Sequence, residues 1–547
     1  MQVTVLLVFG NMKPNFFVDE IWTFNLANSY FFPCFDNVDG YFYTWLSGDF
    51  WHSIITVKPG TEFAWDSVWY NQSQDVHPPF YYAVIHLVCS FFPDQFSKWF
   101  GIGPNIFFFV LTQVVLFLLS QKIFRKTWHA FLPCLIYGFT LGAINTVNYI
   151  RMYMMLTFFC VLALYIHFLF LERVAAAENE KKLLRYLPII ELVNILGFLT
   201  HYYYIIFIFF VTVAALFVLQ LYQYKKMVYK YIGAGIAGLA VCFAIYPFYP
   251  KQILGLGKKE IAYRGAESMG NAFNSRFLAN LAEFCRQLLV DIGGDIVLLL
   301  LLFVALLVLR EIAKQIMNWQ VSKEGHNFKL ALSFHKPSST YSWCLNAEDI
   351  RIMLIGLIVS AYFAVICKIA VMNDDRYIFN ILPLIVLCGY YILNKLITRF
   401  TGKEYLALLL VVFCVWVSVF TSGRVSNIKF VDVEIAIANE EVKEKYTHTP
   451  MIVINSGRHW HPVIEKAPML ETMDKSYLLT ENELEKIPAA LQEISHQGDF
   501  MVFVTWECKQ PRKDIMENVL KETGYKRYTK FYESSKFNRG AMYILSR

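Results

Sequence analysis

Long apolar runs separated by short charged turns recur along the chain. They fall at 2–12, 104–121, 130–147, 152–171, 186–199, 202–222, 231–250, 288–309, 352–371, 378–394 and 405–421. Most approach or exceed the roughly 18–20 apolar residues that cross a bilayer as a helix. The first run is too short to span, and a longer N-terminal stretch is expected upstream of it. A further apolar stretch, 80–92 ("FYYAVIHLVCSFF"), is also short. After 421 the pattern changes. Short runs with strand character appear at 451–456, 500–506, 526–533 and 540–546, and helical patterns near 432–446, 482–496 and 511–523. The pattern predicts a polytopic α-helical membrane protein of about 11 spans, the first one short, with a large first extracytoplasmic loop and a C-terminal α/β extracytoplasmic domain. The expected division is a transmembrane domain at 1–421, with 13–103 as the first outer loop, and the α/β domain at 422–547.

Composition supports the membrane reading. Of 547 residues, 56% are hydrophobic and 17% charged, too apolar for a soluble protein of this length. Forty-nine Phe and 33 Tyr suit lipid-facing and interfacial surfaces. The eleven Cys show no ligand-like spacing. Cys160, Cys242, Cys367 and Cys414 sit inside apolar runs, as small buried hydrophobes do. Neither a disulfide framework nor a zinc site is expected, and nothing points to nucleic acid.

Lys and Arg set the sidedness. With 80–92 lying along the membrane surface, nineteen basic residues fall in the loops 122–129, 172–185, 222–230, 310–351 and 395–404. The opposite loops 148–151, 200–201, 251–287 and 372–377 hold eight, six of them in the long 251–287 segment. The positive-inside rule then puts 13–103 and 422–547 outside the cytoplasmic membrane. Letting 80–92 cross would invert every later loop.

That sidedness gathers the unusual polar residues at one outer face. "VDEIW" carries Asp19 and Glu20, "DVHPPFYY" carries Asp75, His77 and Tyr82, and "NYIRMY" carries Arg151 and Tyr153. "LTHYYY" carries His201, and "MNDDRYIFN" carries Asp375, Arg376 and Tyr377. Each has an ordinary explanation: a helix-dipole charge, a headgroup-snorkelling Arg, a satisfied core His. Adjacent helical residues point about 100° apart, so Asp19 and Glu20 are not expected to face one substrate together. Ionisable groups at membrane depth are costly and usually functional. A carboxylate with flanking cations suits sugar transfer from a membrane-anchored phosphate. One base takes the acceptor proton, and cations hold the departing phosphate.

These stretches, in this order and spacing, resemble the GT-C superfamily of membrane glycosyltransferases, in the clan of protein O-mannosyltransferases and aminoarabinose transferases. The resemblance spans most of 1–421. It implies a polyprenyl-phosphate sugar donor, membrane lipid around it and an extracytoplasmic acceptor. It assigns catalysis to Asp19 with Glu20 in support. Donor phosphate falls to His77, Arg151, Arg376 and Tyr377, and the cavity lining to Asp75, Tyr82, Tyr153, His201 and Asp375. The chain departs from the pattern at Tyr149, where many relatives carry an acidic residue two before the Arg. A second departure is the short first run. The 251–287 loop, with Gly255, Gly257, Gly265 and Gly270, falls where relatives carry a mobile element. The resemblance makes no cofactor certain and leaves a metal undecided. A divalent cation on Asp19, Asp75 and His77 is chemically reasonable, but no spacing demands it. The rival readings are a flippase or polymerase-like carrier of polyprenyl-linked glycans, and a non-enzymatic envelope protein. A carrier would be expected to show repeats and polar groups near the midplane, and neither is visible here.

Overall fold

The computed structural model describes residues 1–34, 38, 40–124, 126–253, 275–293, 302, 306, 309–310, 317–324, 327–334, 346–370, 372–401, 404–422, 428–429, 433–494, 498–534 and 539–547. Most of the 251–287 loop and of the expected 288–309 span lie outside the described residues. Among the described residues, six helices are long and apolar enough to cross a membrane, or seven if one bent pair counts as a single span. Six or seven of the eleven expected spans are thus seen among the described residues. The segments 2–12 and 187–198 are helical as expected, but only 11 and 12 residues long.

Five short helices carry the N-terminal region: α1 (Gln2–Met12), α2 (Val18–Asn28), α3 (Gly48–Ser53), α4 (Trp65–Ser73) and α5 (Phe80–Ser90). The long helix α6 (Trp99–Gln121) follows. The run expected as one span at 130–147 is instead two helices, α7 (Thr127–Gly138) and α8 (Leu141–Asn148), bent by 60° at Phe139–Thr140. Thr140 causes the restart. Its Oγ1 accepts from Ala143 N at 3.1 Å and N-caps α8, giving the backbone an alternative to helix continuation. The bend has a consequence for chemistry. It ends α8 early and leaves 149–152 out of helix before α9 (Tyr153–Ala175), with Tyr149 extended and Arg151 N bonded back to the Tyr149 carbonyl at 2.7 Å.

That non-helical stretch is held from two sides. Asn105 of α6 donates through Nδ2 to the carbonyls of Val147 (3.0 Å) and Tyr149 (2.9 Å), which α8 leaves unpaired at its end. Glu20 of α2 accepts from Ile150 N at 2.7 Å. Close approach requires Gly101 on α6, because a Cβ there would meet the Ile150 side chain at 2.1 Å.

The C-terminal region builds a six-stranded sheet. Its strands are β1 (Trp45–Ser47), β4 (Met451–Asn455), β5 (Lys475–Thr480), β6 (Phe500–Thr505), β7 (Arg527–Ser534) and β8 (Gly540–Ser546), in the order β1-β5-β4-β6-β8-β7. A separate hairpin joins β2 (Met317–Glu324) and β3 (Asn327–Phe334). β5, β4 and β6 are parallel; the other pairs are antiparallel. β4 and β6 are buried throughout and almost continuously apolar, as strands covered on both faces must be. Met451, Val453, Met501 and Phe503 face one core, and Ile452, Ile454, Val502 and Val504 face another.

Four strands fall where the pattern predicts them; β5 and β1 do not. β1 belongs to the first loop yet pairs with β5, with Trp45 opposite Tyr477 and Ser47 opposite Lys475. Trp51 Nε1 donates to Ser476 Oγ at 2.7 Å beside it. The core of the membrane helices runs on into this sheet through Trp51, Trp460 and Met451. First loop and C-terminal region are one packed structure.

Candidate active site

Asp19 lies in the first turn of α2. Its Oδ2 accepts from Arg376 Nη1 at 2.5 Å and from the Tyr149 hydroxyl at 3.0 Å. Arg376 Nη1 also donates to the Tyr149 hydroxyl at 2.8 Å, which closes a three-membered ring of contacts. Burial alone would push the Asp19 carboxyl up. The Arg376 and Arg151 charges and the Tyr149 hydrogen bond outweigh it and hold the group well below the usual carboxylate range. Asp19 is ionised and still about a quarter exposed.

Arg151, on the non-helical stretch before α9, is the second cation. Its Nη1 donates to the Asp19 carbonyl (3.2 Å), Thr23 Oγ1 (3.1 Å) and the Tyr82 hydroxyl (3.0 Å). Its Nη2 lies 3.3 Å from His77 Nε2. An Arg only donates, so His77 Nε2 accepts there, and Nδ1–H points to Asp75 Oδ2 at 3.0 Å. Tyr82 donates to the same Asp75 oxygen at 3.4 Å. The first loop and α9 are thus tied through Asp75–His77–Arg151–Tyr82.

Aromatic rings wall the group. Tyr149 and Tyr153 stack at 5.8 Å with planes 9° apart. Tyr153 lies 5.5 Å from the His201 ring, and His201 lies 5.8 Å from the His77 ring. His201 Nδ1 accepts from Tyr203 N at 3.0 Å. Burial, with the neighbouring Arg151 and Arg376 charges, keeps His201 well below its usual range and neutral. Tyr377 lies under the Arg376 guanidinium at 5.2 Å.

Two expected site residues are placed elsewhere. Glu20 does not share the partners of Asp19. It is fully buried, paired with Lys13 Nζ at 2.9 Å, and accepts from Phe17 N at 2.7 Å and from Ile150 N. It closes the capping box of α2 and fixes the backbone next to Arg151. Asp375 turns toward Lys429, which also reaches Asp374 at 3.4 Å. Burial pushes Asp375 up to about 6 against the pull of Lys429. In sequence Tyr149 stands out only as a departure from a family pattern, whereas in the fold it bridges Asp19 and Arg376. Its position two before Arg151 is the one signal that marks it.

The guanidiniums of Arg151 and Arg376 stand among the carboxylates of Asp19, Asp75 and Asp374. The buried Nε–H donors of Arg151 and Arg376 have no hydrogen-bond partner among the described residues, and Arg376 Nε lies 3.6 Å from Asp374 Oδ2. A buried donor of this kind is costly unless something accepts from it. Among the described residues no three His, Cys, Asp or Glu side chains converge as a metal site.

The fold is similar to that of ArnT from Cupriavidus metallidurans bound to undecaprenyl phosphate. The TM-score is 0.50 at 11% identity, over 99% of this chain and 97% of that one. The chain has the GT-C fold. The same ArnT in the apo state matches with TM-score 0.45 at 10% identity, over 100% of this chain and 98% of that one. The archaeal oligosaccharyltransferase AglB from Archaeoglobus fulgidus, in complex with an inhibitory peptide and a dolichol-phosphate, matches with TM-score 0.40 at 10% identity, over 97% and 72%. No protein-family profile matches the sequence, and no curated protein is detectably similar to it. The GT-C fold carries the ring of Asp19, Tyr149 and Arg376 on α2, on the stretch after α8, and on the turn before the Phe379–Thr398 span.

Proposed function

We propose that this chain is a membrane glycosyltransferase. It moves a sugar from a polyprenyl-phosphate donor to an acceptor hydroxyl at the extracytoplasmic face of the cytoplasmic membrane, with inversion. The observation that carries this reading is the buried Arg151 Nε–H, with no hydrogen-bond partner among the described residues, and the buried Arg376 Nε–H, with only Asp374 Oδ2 at 3.6 Å, set beside one accessible ionised carboxylate. An anionic phosphate supplies the missing acceptor, and guanidinium forks suit its geometry. The likeness to a fold that binds undecaprenyl phosphate in ArnT points the same way.

The reaction follows from the placement. The acceptor oxygen attacks C1 of the sugar and loses its proton to Asp19 Oδ2. The bond from C1 to the phosphate oxygen breaks, and the polyprenyl phosphate leaves with the bonding pair. Arg151 and Arg376 stabilise the added charge on the phosphate. Held by Arg376, Asp19 is a weak base. Donor phosphate draws Arg376 toward itself and frees Asp19, so the base strengthens only once the donor is bound. A protein, a lipid and an envelope glycan are all acceptor classes open to this site.

The test is transfer from a radiolabelled polyprenyl-phosphate sugar by purified protein. Asp19→Asn keeps the shape and removes the base. It should lower turnover about 10²- to 10⁴-fold with donor binding retained. Normal turnover in Asp19→Asn would refute the assignment.

A further inference from the structure

The transfer chemistry leaves the C-terminal sheet without a task, yet this sheet has its own polar cluster. β5, β4 and β6 run parallel, with β5 on one side of β4 and β6 on the other. The chain leaves β4 toward β5 and then crosses to β6. Such a reversal opens a crevice at the carboxyl ends of the two inner strands, where open α/β sheets hold ligands.

The loops after β4 and β6 meet there. The Glu507 carboxylate places Oε2 3.1 Å from His459 Nε2 and 3.4 Å from Ser456 Oγ. Its Oε1 lies 3.2 Å from His461 Nδ1. The Trp506 indole lies 6.0 Å from the His461 ring, and the Arg539 guanidinium lies 4.0 Å over the indole. Asn455 braces the loop beneath, donating to the carbonyls of Gly457 (2.8 Å) and His459 (3.1 Å). His459 and His461 are 41% and 46% exposed, so solvent reaches the cluster. Two buried donors beside it, Trp506 Nε1 and Arg539 Nε, have no hydrogen-bond partner among the described residues.

The crevice lies next to the helix of the base. The helix His461–Ile464 packs against α2. The Arg539 guanidinium is 5.7 Å from the Phe17 ring, and that ring is 6.2 Å from the ring of Tyr149. Phe17 precedes Asp19 by two residues.

We propose that this crevice is the acceptor subsite and binds a neutral, hydroxyl-rich glycan, presenting one of its hydroxyls toward Asp19. The proposal rests on the transferase reading. A sugar hydroxyl both donates and accepts, which matches a carboxylate acceptor flanked by imidazole, indole and guanidinium donors. An anionic ligand would meet the Glu507 charge. The indole edge and the His461 ring offer apolar surface to the C–H face of a sugar.

Histidine carbethoxylation of the full-length protein in lipid nanodiscs, read by mass spectrometry, tests this. The probes are methyl hexosides, methyl pentosides and short soluble oligosaccharides, with inorganic phosphate as control. Modification of His459 and His461 should slow about tenfold once a glycoside reaches about ten times its Kd. His448, 84% exposed, is the internal reference and should not change. Glu507→Gln should abolish the protection, and His461→Gln, at an exposed position, provides a second variant. Lack of protection by every glycoside, equal protection by phosphate, or full protection in both variants would overturn the proposal. Native mass spectrometry with undecaprenyl phosphate on the same preparation separates the two readings. Failure to bind the lipid sinks the transfer reaction. Bound lipid with unprotected histidines sinks the acceptor crevice alone.

Discussion

Replacing Tyr149 by Phe isolates the bridge between Asp19 and Arg376. The ring stays, stacked on Tyr153 at 5.8 Å, so the packing of the buried site is kept. Only the hydroxyl is lost, and with it a 3.0 Å bond to Asp19 Oδ2 and a 2.8 Å bond from Arg376. A hydrogen bond to a charged group is worth about 1.5–3 kcal/mol. Asp19 stays ionised, because Arg376 and Arg151 remain beside it. What is lost is orientation. In the proposed reaction, once donor phosphate draws Arg376 away, Tyr149 is the group left holding the carboxylate toward the acceptor. If the bond is made at full strength only in that state, about 1.5–3 kcal/mol is a loss of about 10- to 150-fold in kcat. Donor affinity should change by no more than about twofold, since the hydroxyl is not needed to hold phosphate. Initial transfer rates at saturating donor, together with a direct binding measurement for undecaprenyl phosphate, separate the two quantities. Wild-type kcat in Tyr149→Phe would refute the orienting role. A large rise in donor Kd at unchanged kcat would make Tyr149 a phosphate ligand instead.

Three further outcomes are expected. Arg376→Gln removes the main countercharge of Asp19, so the burial that remains should raise its carboxyl. The free-enzyme profile of kcat/KM should then gain an acid limb at or above about pH 4, absent from the wild type; an unchanged limb would contradict the ion-pair argument. Glu20→Gln leaves Lys13 facing a neutral partner in a fully buried pair, and should cost about 3–5 kcal/mol by thermal or denaturant unfolding, while protein that folds turns over nearly normally; full stability with abolished turnover would return Glu20 to catalysis. An impermeant thiol reagent applied to intact cells should label a cysteine placed at Lys58 or Asp474 but not one at Lys182; labelling of Lys182→Cys from outside would overturn the sidedness.

The amino-acid pattern alone identifies a membrane protein with an α/β tail, because apolar length and strand periodicity are local properties. It also locates most of the site. Asp19, Asp75, His77, Tyr82, Arg151 and Arg376 stand out as ionisable or polar groups in apolar surroundings, and the fold brings them into one network. What the pattern leaves open is orientation and long-range pairing. The 100° helical offset separates Asp19 from Glu20 but does not say which one faces the site. That is decided by Lys13 and by Ile150 N, 130 residues further on, which capture Glu20. A lone Thr at 140 is common in spans, and only packing shows that it restarts the helix and leaves Tyr149 and Arg151 on a non-helical stretch. Three residues at 45–47 are too few to show a strand period, so β1 depends on β5, more than four hundred residues away, to be a strand at all. Asp375 and Arg376 look alike in sequence, adjacent and charged. Lys429 turns one away, and Asp19 with Tyr149 binds the other, because the partner of a buried charge comes from whatever element the fold packs against it.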